Sequence, residues 1–365
     1  MKILFIVPRY HTNMHEWINI LLKHNHKIFV NTLISNDIEN HSLVKPTKFK
    51  LSILSKYIIF IFGKGGENLK RGFPNIISYF IYIKKLKPEV IIVRDLSRWF
   101  SILGIILSKL LRVKLIIYSQ NKIHDKFTKK RIFIHNLICF IFNPAFMSPI
   151  LGKRSQIKFK LKNTFHIPFA GYRYRQEKVD NGFFNILTIG KFVKRKNQSD
   201  LINIIINLKE KYSFIRLTVL GECYEPIHYN LLKTIELKYN TAIKDGYIKI
   251  FTNVPHENIK NYYNNIDLFV LPATEEPASI SIIESLSNEI PTICSNTCGT
   301  AEYIDVDKNG LIFEDNNMDD LKSKIEYYIK KNIIKESLPI KFYFDGENFY
   351  SHFKKMMKNH FNFKL

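Results

Sequence analysis

Short apolar runs alternate with amphipathic stretches along most of this chain, and that alternation restricts the fold more than any other feature. "KILFIV" (Lys2 to Val7) is followed by "HEWINILLKHNH", with apolar residues at helical spacing, and then by "KIFVNT". The pattern returns as "EVIIVRD" after Pro88, a helix near Ser97 to Leu111, and "KLIIYSQ". It stops at "FHIPFAGYRYRQEKVDNG" (Phe165 to Gly182), where Pro, Gly and charge cluster as in a linker. It restarts with "FNILTIG", a helix from Gln198 to about Tyr212, "RLTVLG", a helix within Tyr229 to Tyr239, "IKIFTNV", "DLFVLPA" and "PTICSN". Alternation of this kind predicts an α/β protein with parallel sheets covered by helices on both faces. At 365 residues the chain is long enough for two such domains.

The expected division is 1–170, joined by a C-terminal helix in 345–365, and 171–344. Two apolar segments, "WFSILGIILSKLLRVKLIIY" (Trp99 to Tyr118) and "RIFIHNLICFIFNPAFMSPIL" (Arg131 to Leu151), approach membrane-span length. Each is interrupted by charged or helix-breaking residues, so each reads as a buried helix followed by a strand. Only five consecutive apolar residues precede Pro8, too few for a secretory signal, which gives a cytoplasmic expectation. Cys139, Cys223, Cys294 and Cys298 lack the spacing of a zinc set and read as reduced core thiols.

In open parallel sheets ligands sit outside the carboxyl ends of the strands, so the residues just after strands carry the functional question. After "FNILTIG", Gly190 opens a turn bearing Lys191, Lys194, Arg195 and Lys196. Several cations beside a Gly suit a diphosphate, since phosphate oxygens take charge-assisted donors and Gly admits the backbone. An ordinary exposed loop explains the same residues. After "DLFVLPA" come Glu275, Glu276 and Pro277, with Pro277 near the first position of a helix expected from about Ser279. Free amides of Ala278, Ser279 and Ile280 at that start would receive an anion or hydroxyl. Glu276 would stand at its mouth and Glu284 on the helix behind. By spacing alone, a helix-start charge and a solvated acid explain this pair better than a ligand does.

Taken together, "LTIGKFVKRKNQSDLI", "RLTVLGE", "NIDLFVLPATEEPASISIIESLSNEIPTICSN", "CGTAEYI" and "DKNGLIFE" resemble retaining glycosyltransferase family 4. The likeness is close from about Phe184 to Asp315 and covers the first half only in outline. It implies the GT-B fold, two doubly wound, Rossmann-like parallel-sheet domains facing across a cleft, with an acceptor-binding first domain and a donor-binding second. It implies that Glu276 contacts the donor sugar's hydroxyls, that Ala278, Ser279 and Ile280 offer amides to sugar and phosphate, and that Glu284 binds the ribose. Lys191, where the family usually has Arg, and Lys196 would face the diphosphate, with Arg195 sharing that role. Ser279 stands where a Gly is frequent. Asn13 and Met14 replace the Gly-rich turn after the first strand, and Gln120 occupies the place of a His that often ends a strand facing the sugar. His11 or His124 are the candidates to replace that His. No cofactor and no metal are expected, because the cations can stabilise the departing diphosphate themselves.

The formal charge of +23 predicts an anionic partner. Between His41 and Lys87 ten Lys or Arg residues accompany one acid, Glu67. The stretch Lys45 to Arg71 could lie on an anionic membrane surface or form a core segment with a solvated edge; both readings stay open. On the first, the enzyme is peripheral on the inner face of the cell membrane. Its acceptor is then a saccharide, in particular a lipid-linked one used in cell-surface polysaccharide synthesis, such as lipopolysaccharide, O-antigen or capsule. A basic nucleic-acid binder is the competing class. No such module is recognisable and the two acids would repel a phosphate backbone, so no nucleic-acid partner is expected. A relative that binds donor and transfers nothing is the third reading.

Overall fold

A computed structural model of the chain describes residues 1–34, 39–62, 70–152, 161–174, 181–333 and 346–363. It divides into two compact units, Met1–Phe169 with Gly346–Leu365, and Ala170–Asp345. The expected break at 344/345 lies outside the described residues.

Unit 1 runs β1 (Lys2–Ile6), α1 (His15–Lys23), β2 (Lys27–Thr32), β3 (Thr47–Lys48), α2 (Ile53–Phe62), α3 (Ile76–Leu86), β4 (Val90–Arg94), α4 (Trp99–Leu110), β5 (Lys114–Tyr118), α5 (Lys129–Phe142), β6 (Ala145–Ser148) and β7 (Thr164–His166). All neighbours pair in parallel, in the order β3-β2-β1-β4-β5-β6-β7. Because side chains alternate across a strand, Leu4, Ile6, Ile91, Val93, Leu115 and Ile117 fill one core face. α2, α3, α4 and α5 all pack on that face, through residues such as Ile58, Tyr79, Phe100 and Ile138.

Unit 2 runs β8 (Phe184–Ile189), α6 (Gln198–Lys209), β9 (Ile215–Gly221), α7 (Pro226–Lys238), α8 (Asn240–Lys244), β10 (Ile248–Thr252), α9 (His256–Tyr263), β11 (Leu268–Leu271), α10 (Ile280–Ser287), β12 (Thr292–Ser295), β13 (Gly310–Phe313) and α11 (Met318–Ile333). Its six strands are parallel in the order β10-β9-β8-β11-β12-β13. Strands buried on both faces need continuous branched runs, and "LFVL" in β11 is wholly buried. The strand order reverses between β8 and β11, the switch point at which a doubly wound sheet opens a crevice. The last helix, α12 (Gly346–Phe361), belongs to unit 1, where Phe349 stacks on Trp17 at 5.1 Å between ring centres.

All four cysteines are free and buried. Among the described residues no helix is long and apolar enough to cross a membrane. The helix-then-strand reading of the two long apolar segments holds, as α4 with β5 and α5 with β6. The burial expected of the second does not. α5 buries only His135 and Cys139, while Phe133 and Phe140 are 68% and 88% exposed. The polar residues of α5 do not mark its outer side, since His135 is buried while Phe133 and Phe140 face outward.

Candidate functional site in unit 2

The strand order places the turn after β8 beside the turn after β11, and side chains then lock the two together. Thr274 donates its amide to the Arg195 carbonyl at 2.9 Å, and the Asn197 amide group donates to the Pro272 carbonyl at 3.0 Å. The Ser295 hydroxyl donates to the Ala273 carbonyl at 2.7 Å, and the Glu275 N–H to Thr297 Oγ1 at 3.0 Å. Glu275 adopts a left-handed φ of 47°, a strained conformation for a residue with a side chain, sustained here by that surrounding lattice.

At the junction, Lys196 Nζ lies 2.7 Å from Glu276 Oε2, and Arg195 pairs with the same oxygen. Lys196 and Glu276 are both buried, at 7% exposure each, whereas Arg195 is exposed. The Lys196 stem crosses Gly190 so closely that a Cβ there would stand 3.1 Å from its Cδ. Burial alone would raise the Glu276 carboxyl; Lys196 and Arg195 outweigh it and hold the carboxyl below its ordinary range. Expected as an exposed acid at a helix start, Glu276 is instead the buried anion of a three-residue cluster. The cations singled out for a diphosphate and the acid singled out for a sugar thus meet each other.

Lys191 stands apart from that cluster, half-exposed, with its Nζ 3.1 Å from Glu222 Oε1. Gln198 holds the Gly190–Lys191 turn by donating to the carbonyls of Gly190 at 3.3 Å and Lys191 at 2.8 Å.

α10 begins at Ile280 with Ser279 as its N-cap, so Pro277 precedes the helix rather than opening it. The Ser279 amide donates to Thr300 Oγ1 at 3.2 Å, and its hydroxyl shares a 2.8 Å hydrogen bond with Ser281. The expectation that this amide points outward is therefore corrected: Thr300 accepts from it. Ala278 and Ile280, on either side of Ser279, are both half-buried. The segment is tied from below by the Gly299 N–H, which donates to the Glu276 carbonyl at 2.8 Å. A Cβ on Gly299 would stand 1.9 Å from the Pro277 carbonyl oxygen. Gly299→Ala is accordingly expected to displace the Glu276–Pro277 backbone and to lower the melting temperature by several degrees, at a cost of about 1–3 kcal/mol. An unchanged melting curve would show that the loop yields freely.

Glu284 is fully buried, with Oε1 2.7 Å from His256 Nε2 and Oε2 accepting from the Tyr263 hydroxyl at 3.1 Å. Burial opposes charge on His256, yet the Glu284 carboxylate overcomes it and holds the imidazole above its ordinary range. Glu284 is thus an internal acid gripped from α9, not the solvated one that spacing alone favours. Sequence reasoning missed His256, Tyr263, Glu222 and Thr300; each lies 20 or more residues from its partner, and only the sheet order brings them together.

In unit 1, Asn13 and Gln120 converge on one group. The Asn13 amide donates to the Tyr118 hydroxyl at 2.9 Å, and the nearby Gln120 side chain favours that hydroxyl's ionised form. Burial, opposed by Arg94, pushes that phenol up to about 12. Asn13 Oδ1, in the turn between β1 and α1, is buried and has no hydrogen-bond partner among the described residues.

Two doubly wound parallel-sheet units in one chain define the GT-B class of fold. A solved glycosyltransferase from Rickettsia africae superposes with a TM-score of 0.71 at 16% identity, over 98% of this chain and 99% of that one. Anabaena HepE, solved in complex with UDP-glucose, gives 0.70 at 14% identity, over 98% and 99%. Residues 174–340, nearly the whole of unit 2, match the family of glycosyl transferases group 1. Among curated proteins, the capsular polysaccharide biosynthesis glycosyltransferase CapM of Staphylococcus aureus is 25% identical over 170 residues, 45% of this chain and 41% of that protein. The chain matches less than half the length of such curated relatives.

Proposed function

We propose that this chain is a glycosyltransferase that moves a sugar from a nucleotide-sugar donor, with retention, to a hydroxyl of a saccharide acceptor. The observation that carries the reading is the Lys196–Glu276–Arg195 cluster at the switch point of unit 2. Its cations and its acid are held by one another, ready to exchange partners for a donor's phosphates and hydroxyls. The family match over unit 2 supports the reaction, and the UDP-glucose complex of a fold relative supports the donor class.

Transfer expels a nucleoside diphosphate from the anomeric carbon while the acceptor hydroxyl attacks the same face. Charge accumulates on the leaving diphosphate, so fixed cations aimed there favour the transition state over the bound substrate. Lys196, Arg195 and Lys191 are assigned that work, with the half-buried start of α10 beside them. Glu276 is assigned the sugar hydroxyls. Glu284 is assigned the ribose: each of its oxygens already accepts one hydrogen bond, from His256 or from Tyr263, and keeps a second lone pair for a ribose hydroxyl. No metal is assigned a role. In a donor panel, melting temperature is expected to rise with a matching nucleotide sugar, and turnover to persist in EDTA. Loss of turnover in EDTA with recovery on adding magnesium would overturn the metal-free assignment. A shift with duplex RNA or DNA and with no nucleotide sugar would overturn the donor reading.

The acceptor is assigned to the lipid-linked saccharides of cell-surface polysaccharide synthesis, with an anionic bilayer as the working surface of unit 1. What supports this is the outer side of the α2–α5 layer. It bears 18 of the 26 large apolar side chains that are exposed among the described residues. Those four helices contain Lys and Arg and no Asp or Glu. Apolar side chains entering the interface and lysines on lipid phosphates each add to such binding, about 1 kcal/mol per cation. Association with phosphatidylglycerol-containing vesicles is expected and should weaken as salt rises. The triple change of Lys48, Lys50 and Lys56 to Glu should weaken it further; Lys64, a fourth lysine of the stretch, lies outside the described residues. Equal binding of variant and wild type would return Lys45 to Arg71 to an ordinary solvated edge.

A further inference from the structure

Unit 1 contains a cavity of about 310 Å³ at the carboxyl ends of β4, β5 and β6, walled on one side by the first half of α5. Its apolar lining includes Ile117, Ile123, Phe127, Ile134, Phe146 and Met147. Lys122, Lys130 and Arg131, all exposed, also line it, against one acid, Asp95. Burial pushes the Asp95 carboxyl up, with Arg94 and Arg98 opposing, which moves it toward the neutral form. The site is therefore apolar within and cationic at its edge.

A second observation points to an anion at that edge. Lys129, Lys130 and Arg131 occupy the first turn of α5, and no acid does. Cations at a helix N-terminus oppose the helix dipole, so the arrangement makes physical sense with an anion seated among them. The Arg131 guanidinium lies 4.7 Å above the Phe127 ring, which fixes it at the cavity wall. A third observation gives the rest of the ligand. Ile134 lines the cavity and is also 42% exposed on the outer surface of α5, beside exposed Phe133 and Leu137. Apolar surface thus runs from inside the cavity onto the exposed helix face.

We propose that this cavity binds an anionic amphiphile, with a phosphate on Lys122, Lys130 and Arg131 and the adjoining hydrocarbon among Ile117, Ile123, Phe127, Ile134 and Phe146. Its place in catalysis, as the seat of the phosphate-bearing end of a lipid-linked acceptor, rests on the function proposed above; the binding itself does not. The charge and the chain are both required, since either alone meets half of the lining.

Titration of the full chain with dodecyl phosphate below its micelle concentration tests this, alongside inorganic phosphate and dodecyl maltoside. Dodecyl phosphate is expected to bind at least tenfold tighter than either control. Ile134→Trp, which fills the cavity from a half-exposed position, and the double change Lys130→Glu with Arg131→Glu are each expected to weaken it at least tenfold. The melting shift with UDP-glucose, read in the same samples, reports unit 2 and should be equal in wild type and variants. Equal binding of dodecyl phosphate by wild type and variants would overturn the site. Inorganic phosphate binding as tightly as dodecyl phosphate would make it a free-phosphate site, and dodecyl maltoside binding as tightly would remove the role of the cations. Dodecyl phosphate binding that follows the expected pattern, in a protein indifferent to every nucleotide sugar, would uphold the site and bring down the donor reading alone.

Discussion

Glu276→Gln is expected to lower turnover at least about a thousandfold, about 4 kcal/mol of transition-state stabilisation, while leaving a folded protein. The amide keeps the shape of the carboxylate and one acceptor oxygen for Lys196 Nζ, 2.7 Å away in the native pair. Glu276→Ala is the harsher change. It leaves the buried Lys196 ammonium facing a void and is expected to cost stability too, up to about 3–5 kcal/mol, less whatever solvent and exposed Arg195 recover. Single-turnover rates at saturating donor, with melting curves for both variants, separate the two effects. A folded Gln variant with near-normal turnover would remove Glu276 from the chemistry. The pH dependence has a fixed sign. Since the folded carboxyl titrates below its ordinary value of about 4.3, its contribution is complete above that pH and is lost as pH falls through the folded value. Wild type should lose that increment on acidification and the Gln variant should lack it.

Lys196→Met is expected to reduce kcat by about 10²–10³, about 2.7–4 kcal/mol, with a smaller change in the donor KM. Methionine retains the apolar stem that passes over Gly190, so the loss reports the charge. The assignment requires that this charge act most on the departing diphosphate. A raised KM with unchanged kcat would place its effect in ground-state binding instead. Lys191→Met, at an exposed lysine already partnered by Glu222, is expected to cost less.

The class of fold was legible because it is written in local pattern. Runs such as "ILFIV" and "LFVL" are too short for helices and too uniformly apolar for a half-exposed sheet, and the amphipathic segments between them leave a parallel sheet as the solution. Candidate positions at the ends of β8 and β11 were legible for the same reason, since Gly190 and Pro277 punctuate the chain there. What sequence could not convey is how those positions are joined. Arg195 and Glu276 are 81 residues apart, and His256 and Glu284 are 28 apart; no periodicity encodes such pairs. Nor could apolar composition distinguish α4, which buries Phe100, Leu103 and Leu107, from α5, which turns Phe133 and Phe140 outward. Leu and Phe satisfy a protein interior and a lipid surface equally well.

The helix that closes unit 1 fixes an order of assembly during synthesis. α12 covers α1 so closely that a Cβ on Gly346 would come within 2.9 Å of Ile20, and the Tyr350 hydroxyl meets His26 at 3.0 Å. The ribosome must make all of unit 2, Ala170–Asp345, before that cover exists. At 5–20 residues per second the delay is roughly 10–35 s. Throughout it the sides of Trp17 and Ile20 that α12 covers in the finished protein face solvent or a chaperone. Unit 2 is one uninterrupted segment and can complete its sheet first. The earlier half of the chain is therefore the later to mature, and its window of vulnerability to aggregation is set by the length of its neighbour.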